Sequence, residues 1–545
     1  MRRFFRKCSL FFLSAIFTVT ITNGCQKQQA IKKTQTQAAY AEKTLSYSTL
    51  TSVTSLDPQK ITDLRSATIG YHIYEGLVRN EEGEIVAAGA SSWTVSEDGL
   101  TYHFVLRDTT WQDGSAVTAE DYVRGIRRLV EEETGANYHF LGYYIKNGAA
   151  VGEGALDSSQ LGVTAVSGTE IEIQLEHKTD SFLSILSQVQ FTPIPEEALK
   201  EEEHFGTKKE YLWTNGPFLV SEWEEDRIVL TKNDYYWDAD HVELQKVVIT
   251  KEDSIKDAVE AYERGETNLV TTNFLSGEEE ENETLYNDGQ LVMVRMNMKN
   301  KKLANLNFRK ALFYSVDQQA LTKVVSDGIY YATDSVVFPG LFDTDSAGKE
   351  GLKTEDLFAG TSGIDVKKAQ KAMEKAKKKL GGKKKWKLEL VCSDQDQQQK
   401  IAAFLKESWE ETLGIKVKIV TVTDDERISR EASGDFDLIL SRWLPDYDDP
   451  MAYLENWLSD SPYNQGGFSS KDFDKKVKKA DKKTGKERIE AFLEAEEDLM
   501  KQVPSVPLYF KRKVLMTKSE VSGVKTWYVG YQYNYIHCQI GGQHD

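Results

Sequence analysis

The stretch Trp386–Leu440 switches repeatedly between two hydrophobic periods, and few folds accommodate the result. Lys387–Cys392 reads as a strand. Gln397–Leu413 reads as a helix, with Ile401, Phe404, Leu405 and Trp409 on one stripe and Gly414 as its stop. Ile415–Val422 sets Ile415, Val417 and Ile419 against Lys416 and Lys418. A shorter helical stretch follows, then the apolar strand Phe436–Leu440. A β-α-β-α-β order implies an α/β body with a mostly parallel sheet.

The same reading extends to other segments. Leu45–Thr51, Tyr102–Leu106, Ile228–Leu230 and Val247–Thr250 are strand candidates. In Ile171–Glu176 a period of two places Ile171, Ile173 and Leu175 on one buried face. Thr118-Ala119-Glu120-Asp121 has the capping-box form and starts a helix. The lysine-dense run Lys367–Lys387 reads as a solvated helix surface, and Glu278–Glu281 as an exposed acidic loop. Tyr531, Tyr533 and Tyr535 alternate as packing residues of a C-terminal strand. At 545 residues the chain is long enough for two to four domains.

The first residues read as an export signal. Arg2, Arg3, Arg6 and Lys7 precede an apolar run, Leu10–Ile21, too short for a bilayer of about 30 Å. Thr22-Asn23-Gly24-Cys25 follows and resembles a lipobox, in which cleavage before Cys25 leaves that cysteine to carry lipid. The alternative is plain secretory cleavage before an incidental cysteine. Residues 1–24 hold four basic residues, so their removal takes the net charge from -18 to -22. So acidic a chain is a poor partner for nucleic acid, whose phosphates need positive patches. Cys392 and Cys538 remain in the body, and spacing alone does not say whether they pair.

In α/β sheets, ligands bind beyond the carboxyl ends of the strands. Phe436–Leu440 leads into Ser441-Arg442-Trp443-Leu444-Pro445-Asp446-Tyr447-Asp448-Asp449-Pro450, a loop with aromatics, three acids and two stiffening prolines. An aspartate shielded by Trp443 and Tyr447 suits an ammonium group. Three acids also suit a cation such as calcium, although Met451 and Trp457 stand where an EF-hand needs Gly and Glu. A solvated acidic turn is the third reading. Enzyme signatures such as G-x-S-x-G, H-E-x-x-H and the P-loop are missing, and no metal-ligand or cofactor motif replaces them.

An ordered set of motifs links these elements. Ser55-Leu56-Asp57-Pro58 and Tyr74-Glu75-Gly76-Leu77-Val78 come first, then Ser92–Phe104 with Leu106-Arg107, Trp111, Asp113-Gly114 and Thr118–Asp121. Thr214-Asn215-Gly216-Pro217-Phe218, Tyr236-Trp237, Asn307-Phe308-Arg309-Lys310-Ala311-Leu312, Pro445–Pro450 and Pro504–Phe510 complete it. From about Leu45 to Ile540 the chain resembles the solute-binding proteins of bacterial oligopeptide and dipeptide ABC transporters.

That resemblance implies an α/β two-lobe clamp of the periplasmic-binding-protein type with mixed sheets and a third, inserted domain. Residues 1–24 would be a signal peptide and 25–44 a polar tether. One lobe would take 45–74, 204–297 and 504–545, the inserted domain 75–203, and the other lobe 298–503. The implied activity is capture of extracellular oligopeptides for ABC permease subunits, without catalysis, cofactor or metal. The protein would act as a monomer, lipid-anchored through Cys25 on the outer face of the cytoplasmic membrane.

The resemblance assigns Asp446 to the ligand's α-amine, with Trp443 and Leu444 lining side-chain pockets or meeting the ligand backbone and Tyr447 beside them. Leu64 matches a backbone-contacting position on the opposite lobe, and Asn215 and Tyr262 match positions near the cleft. Arg442 stands where the family usually has Gly, and Leu440 where some members place an Arg for the ligand carboxylate. Arg442 either takes over that carboxylate or forms a supporting salt bridge. Alternatives are the same fold binding a dipeptide, signalling peptide, nickel chelate or sugar, a secreted hydrolase, or a surface chaperone or adhesin.

Overall fold

The computed structural model describes residues 43–53, 55–275, 283–342, 364–381 and 386–541. The export signal, Cys25 with most of its tether, and the Glu278–Glu281 loop lie outside the described residues. Among those described, no helix is long and apolar enough to cross a membrane.

The first strand, β1 (Thr44–Thr49), leads to helix α1 (Leu64–Ile73), whose N-cap Asp63 accepts the backbone N–H groups of Arg65 and Ser66. A separate antiparallel sheet follows, with β2 (Ala90–Val95), β3 (Thr101–Leu106), β4 (Val163–Ser167) and β5 (Glu170–Gln174) in the order β2-β3-β5-β4. Helix α2 (Ala119–Val130) packs on it and starts at Thr118, whose backbone N–H donates 2.9 Å to the Asp121 carboxylate. This is the expected capping box, and Ile171, Ile173 and Leu175 are buried as expected.

The chain then returns as β6 (Phe218–Glu224), β7 (Arg227–Lys232), β8 (Lys246–Lys251), helix α3 (Ile255–Glu263), β9 (Leu269–Thr272) and the long β10 (Glu283–Met296). The periodic segment gives β11 (Lys387–Ser393), α4 (Asp396–Leu413), β12 (Lys416–Val422), α5 (Asp424–Ser433) and β13 (Leu438–Trp443). β11 runs parallel to both β12 and β13. Ile401, Leu405 and Trp409 are fully buried, and Gly414 ends α4 in the left-handed conformation, where only glycine has no Cβ to clash. Helix α6 (Gly485–Gln502) and the long strand β14 (Ser505–Thr517) close the architecture.

All but the inserted sheet and three small strand pairs join one large sheet, β12-β11-β13-β10-β14-β9-β1-β8-β7-β6. The antiparallel pair β10 and β14 is its waist. On one side β10 meets β13, on the other β14 meets β9. Register shifts at Asn287/Leu291 and Val292/Met293 break the ladder within this pair, and such bulges bend and twist a strand. The fold is the α/β two-lobe clamp with an inserted domain.

Three of the hydrophobic cores among the described residues show how the parts pack. One draws on Phe104, Trp111, Tyr122, Ile171 and Ile173 and takes in Tyr447. A second holds Tyr47, Ile69, Tyr71, Tyr533 and Tyr535. The third holds Leu390, Ile401, Trp409, Leu438 and Leu440. Arg128 of α2 joins the first to the second, reaching Asp57 through Nη1–Oδ1 at 2.7 Å and Nη2–Oδ2 at 2.8 Å, both side chains buried.

Three expectations change. The strand expected at Phe436–Leu440 instead runs Leu438–Trp443, because β10 pairs with it as far as Leu291 opposite Trp443. The C-terminal tyrosines are all buried, but only Tyr533–Asn534 is strand, paired with Lys525–Thr526. The lysine-dense run is helix over Val366–Leu380, which turns Ala369, Ala372, Met373 and Ala376 inward and leaves most of that helix's lysines in solvent, while Lys387 opens β11. Cys392 and Cys538 are buried free thiols.

Candidate ligand-binding cleft

The loop after β13 sends successive side chains in different directions. Leu444 and Asp446 face a pocket whose opposite wall is α1, contributed through Leu64 and Ala67. Tyr138 of the inserted domain, Gln188 and Tyr528 complete the lining that matters here. Parts far apart in the chain thus meet at one small opening. Rings of Phe140 and Tyr463, 6.2 Å apart, join the inserted domain to the Asp446 side of the cleft.

Asp446 is partly exposed to this pocket and has no ion-pair partner among the described residues. Burial pushes its carboxyl up to about 6, and a hydrogen bond from Tyr138 pulls it back only in part. Such a carboxylate gains from any cation that enters with it, which suits a protonated amine.

The neighbouring acids are already committed. Tyr528 donates its hydroxyl to Asp448. Arg488 Nη2 lies 3.0 Å from both Asp449 Oδ1 and Asp481 Oδ1. Asp446, Asp448 and Asp449 therefore diverge, and among the described residues no group of three acidic, His or Cys side chains converges as metal ligands.

Of the residues assigned from sequence, Leu64, Leu444 and Asp446 share the pocket. Tyr447 turns the other way into the inserted-domain core, its hydroxyl 3.0 Å from that of Tyr144. Trp443 Nε1 donates 2.7 Å to the Ala452 carbonyl, and its ring packs 5.0 Å from Tyr463. Asn215 spends its amide on the backbone of Glu75, accepting from N at 2.9 Å and donating to O at 3.2 Å. Tyr262 is buried on α3 under the Lys518 ammonium, 3.9 Å from its ring centre.

Arg442 is held by Asp424, Nη2 to Oδ2 at 2.6 Å. Asp424 also accepts Arg427 Nε at 2.9 Å, Arg427 reaches Glu431 at 2.7 Å, and Glu431 meets Arg295 Nε at 2.8 Å. This ladder of alternating charge ties α5 to β13 and β10 and fixes the strand that leads into the Asp446 loop.

Sequence reasoning missed Tyr138, Gln188 and Tyr528. Tyr138 is 308 positions before Asp446, and no spacing or period connects them.

The model of the bacterial extracellular solute-binding proteins, family 5 Middle, matches residues 84–465. The dipeptide-binding protein DppE of Bacillus subtilis (strain 168) is 29% identical over 474 residues, covering 84% of this chain and 85% of its own. The oligopeptide-binding protein OppA of the same organism is 28% identical over 548 residues, 95% of this chain and 97% of its own. Among solved structures, an oligopeptide ABC transporter substrate-binding domain from Bacillus anthracis superposes with a TM-score of 0.77 at 30% identity, covering 92% of this chain and 99% of that one.

Proposed function

The chain belongs to family 5 of the bacterial extracellular solute-binding proteins, and from that premise we propose that it is the peptide receptor of an ABC importer. Proteins of this class bind solutes and do not transform them. The observation that carries the peptide reading is the pocket shared by Leu64, Leu444 and Asp446, where a partly exposed carboxylate without a cation among the described residues faces the first turn of α1.

A peptide lies extended in the cleft, its backbone pairing with polar groups on both sides as in strand addition. Those contacts ignore side-chain identity, and bridging waters costing about 0–2 kcal/mol each let the pockets tolerate variety. Asp446 takes the α-amine, Tyr138 steadies the carboxylate, and Leu64 and Leu444 flank the first residue. One lobe comprises 45–74, 204–297 and 504–545, the other 298–503, with 75–203 inserted. They close on the ligand about β10 and β14, because it touches both only when they are shut. The closed monomer docks on the permease, held at the outer face of the cytoplasmic membrane by lipid on Cys25. Trp443, Tyr447, Asn215, Tyr262 and Arg442 serve this site from behind.

Calorimetry with one peptide in free-amine and N-acetylated forms tests the assignment. Tight binding of the first and weak binding of the second supports it. Equal affinity for both in the wild type and in Asp446→Ala excludes it.

A further inference from the structure

A larger cavity, of about 1040 Å³, lies beside the Asp446 pocket, and Asp448 lines it. Asp446 and Asp448, two positions apart on one loop, thus serve different openings, and Tyr528 borders both. Parts far apart in the chain wall the larger one. The inserted domain gives Leu183 and the turn Glu82-Gly83 between the paired strands Val78–Glu81 and Glu84–Ala87. Helix α6 gives Arg488, β10 gives Asn287, and the C-terminal segment gives Trp527.

Asp448 is partly exposed and has no ion-pair partner among the described residues. Tyr528 engages its Oδ1, but a hydroxyl brings no charge, and Oδ2 accepts no hydrogen bond among the described residues. Burial pushes the carboxyl up to about 6, Tyr528 pulls against this, and the neighbouring Asp449 adds to the rise. A cation entering the cavity relieves that cost. The other charges of the lining are engaged elsewhere. Arg488 Nη2 serves Asp449 and Asp481, Glu82 holds Lys525 at 2.9 Å, and Asp180 accepts the Gly485 N–H at 2.7 Å. The other lining cation, Lys486, is exposed. The side-chain carbonyl of Asn287, where the β10–β14 register breaks, is a further acceptor without a donor among the described residues.

The rest of the wall is aromatic and aliphatic. The rings of Trp527 and Tyr528 are 4.8 Å apart, and Phe338 is 5.7 Å from Tyr528. Ile85, Leu183 and Ile489 add apolar surface. At Gly83, with φ of +89°, an added Cβ would lie 3.0 Å from the Trp527 ring and 3.5 Å from Asp448 Oδ2, so glycine lets the inserted hairpin approach ring and acid together. A carboxylate close to an indole suits an organic ammonium, whose charge meets the acid while its body lies on the aromatic face. A bare metal ion fits poorly, because among the described residues no group of three acidic, His or Cys side chains converges.

We propose that this cavity is a second ligand site, which takes a small organic amine with an aromatic or apolar body: Asp448 holds the ammonium, and Trp527, Tyr528 and Phe338 hold the body. The site goes beyond the peptide-receptor reading and does not depend on it, since Asp446 belongs to the other opening. An occupant there touches the inserted domain, α6 and the C-terminal segment at once, and so raises the melting temperature of the folded chain.

The test uses the full chain, freed of co-purified ligand, and isothermal titration with tryptamine and with tryptophol, which carries a hydroxyl in place of the ammonium. Asp446→Asn is the background, so that the peptide pocket offers the amine no carboxylate. Asp448→Asn and Leu183→Trp are added to it singly: the first removes the charge and keeps the shape, the second fills the cavity and keeps the charge. The expected result is one tryptamine per chain in the background, bound at least tenfold more tightly than tryptophol, with a tenfold or greater loss in each added variant. Where Asp448→Asn lowers the melting temperature of the ligand-free protein, Leu183→Trp decides. Tryptamine binding that is present in wild type and abolished by Asp446→Asn assigns the amine to the peptide pocket and overturns the proposal. No tryptamine binding, equal affinity for tryptophol, or undiminished affinity in both added variants overturns it as well. Peptide binding by wild type is measured alongside, and its absence would sink the receptor reading while leaving this site standing.

Discussion

A guanidinium serves Asp449 but not Asp446, three residues earlier: Arg488 Nη2 lies 3.0 Å from Asp449 Oδ1, and among the described residues no cation is within ion-pair reach of Asp446. The first acid is built into the fold and the second is left for something else. Replacing them should therefore have opposite consequences. Arg488→Met strands Asp449 in the interior and should cost about 3–5 kcal/mol in urea denaturation. Asp446→Asn removes a charge that burial disfavours, so the ligand-free protein should melt at the same temperature or higher. The same variant should lose about 2–5 kcal/mol of affinity for free-amine peptides, the usual cost of breaking a desolvated charge pair. A ligand-free Asp446→Asn protein that melts well below wild type would mean that this carboxylate is structural.

The position of Asp446 near 6 makes binding sensitive to pH. A bound ammonium favours the ionised carboxylate and lowers its pKa, so the complex holds fewer protons than the free protein around pH 5 to 6. Affinity for a free-amine peptide should be highest near pH 7 and fall as pH drops through 6, by as much as about tenfold per unit, and fall again at higher pH as the peptide's own α-amine, with a pKa of about 8, loses its proton. Binding at pH 5.5 should release protons, measurable as a dependence of the titration heat on the buffer's ionisation enthalpy. Asp446→Asn should remove the release, and a wild type that takes up protons at this pH would contradict the reading.

Where the structure was legible in sequence, neighbours in space were neighbours in the chain. The Trp386–Leu440 segment is of this kind: β11, α4 and β12 follow from local period, and Gly414 marks the turn between them. β13 was misplaced because its extent is decided by β10, more than 140 residues earlier, which pairs through Trp443. The loop beyond has no period at all. Nothing in the order Asp446-Tyr447 tells that one side chain enters the pocket and the next enters the core beside Tyr144.

The charge ladder behind β13 yields a further expectation. Glu431 takes Arg295 at 2.8 Å, Arg427 at 2.7 Å and the Ser441 hydroxyl, all near or beneath the strand that ends at Trp443, just before the Asp446 loop. Glu431→Leu leaves the Arg295 guanidinium buried with its charge uncompensated, and should cost about 3–5 kcal/mol of stability. Peptide affinity should fall as well, since the strand leading into the loop of Leu444 and Asp446 loses its brace. Denaturation and calorimetry on one preparation check both. Intact stability with intact binding would show that the ladder does not position the site.

Glu496 links α6 to the segment before Pro339 and gives the fold a pH dependence of its own. Its Oε1 accepts the Ser335 hydroxyl at 2.6 Å and the backbone N–H groups of Val336 and Val337 at 2.7 and 2.8 Å. Burial nevertheless pushes the carboxyl up to about 7 from its ordinary 4.5, against those hydrogen bonds and with help from Asp334. The folded state therefore keeps a proton between pH 4.5 and 7 that the unfolded chain gives up. That contribution is complete below pH 4.5 and is lost as pH rises through 7, by up to about 1.4 kcal/mol per unit. Asp448, also raised to about 6, acts in the same direction, whereas His72, held neutral near 3 by burial, acts in the opposite one. Absolute stability against pH therefore mixes several groups, and the informative quantity is wild type minus Glu496→Gln. Measured by urea denaturation without ligand, that difference should decline steadily from pH 4.5 to 7 and then level off. A difference that is flat across this range would mean that Glu496 is ionised in the folded protein at all of these pH values, with its hydrogen bonds outweighing the cost of burial.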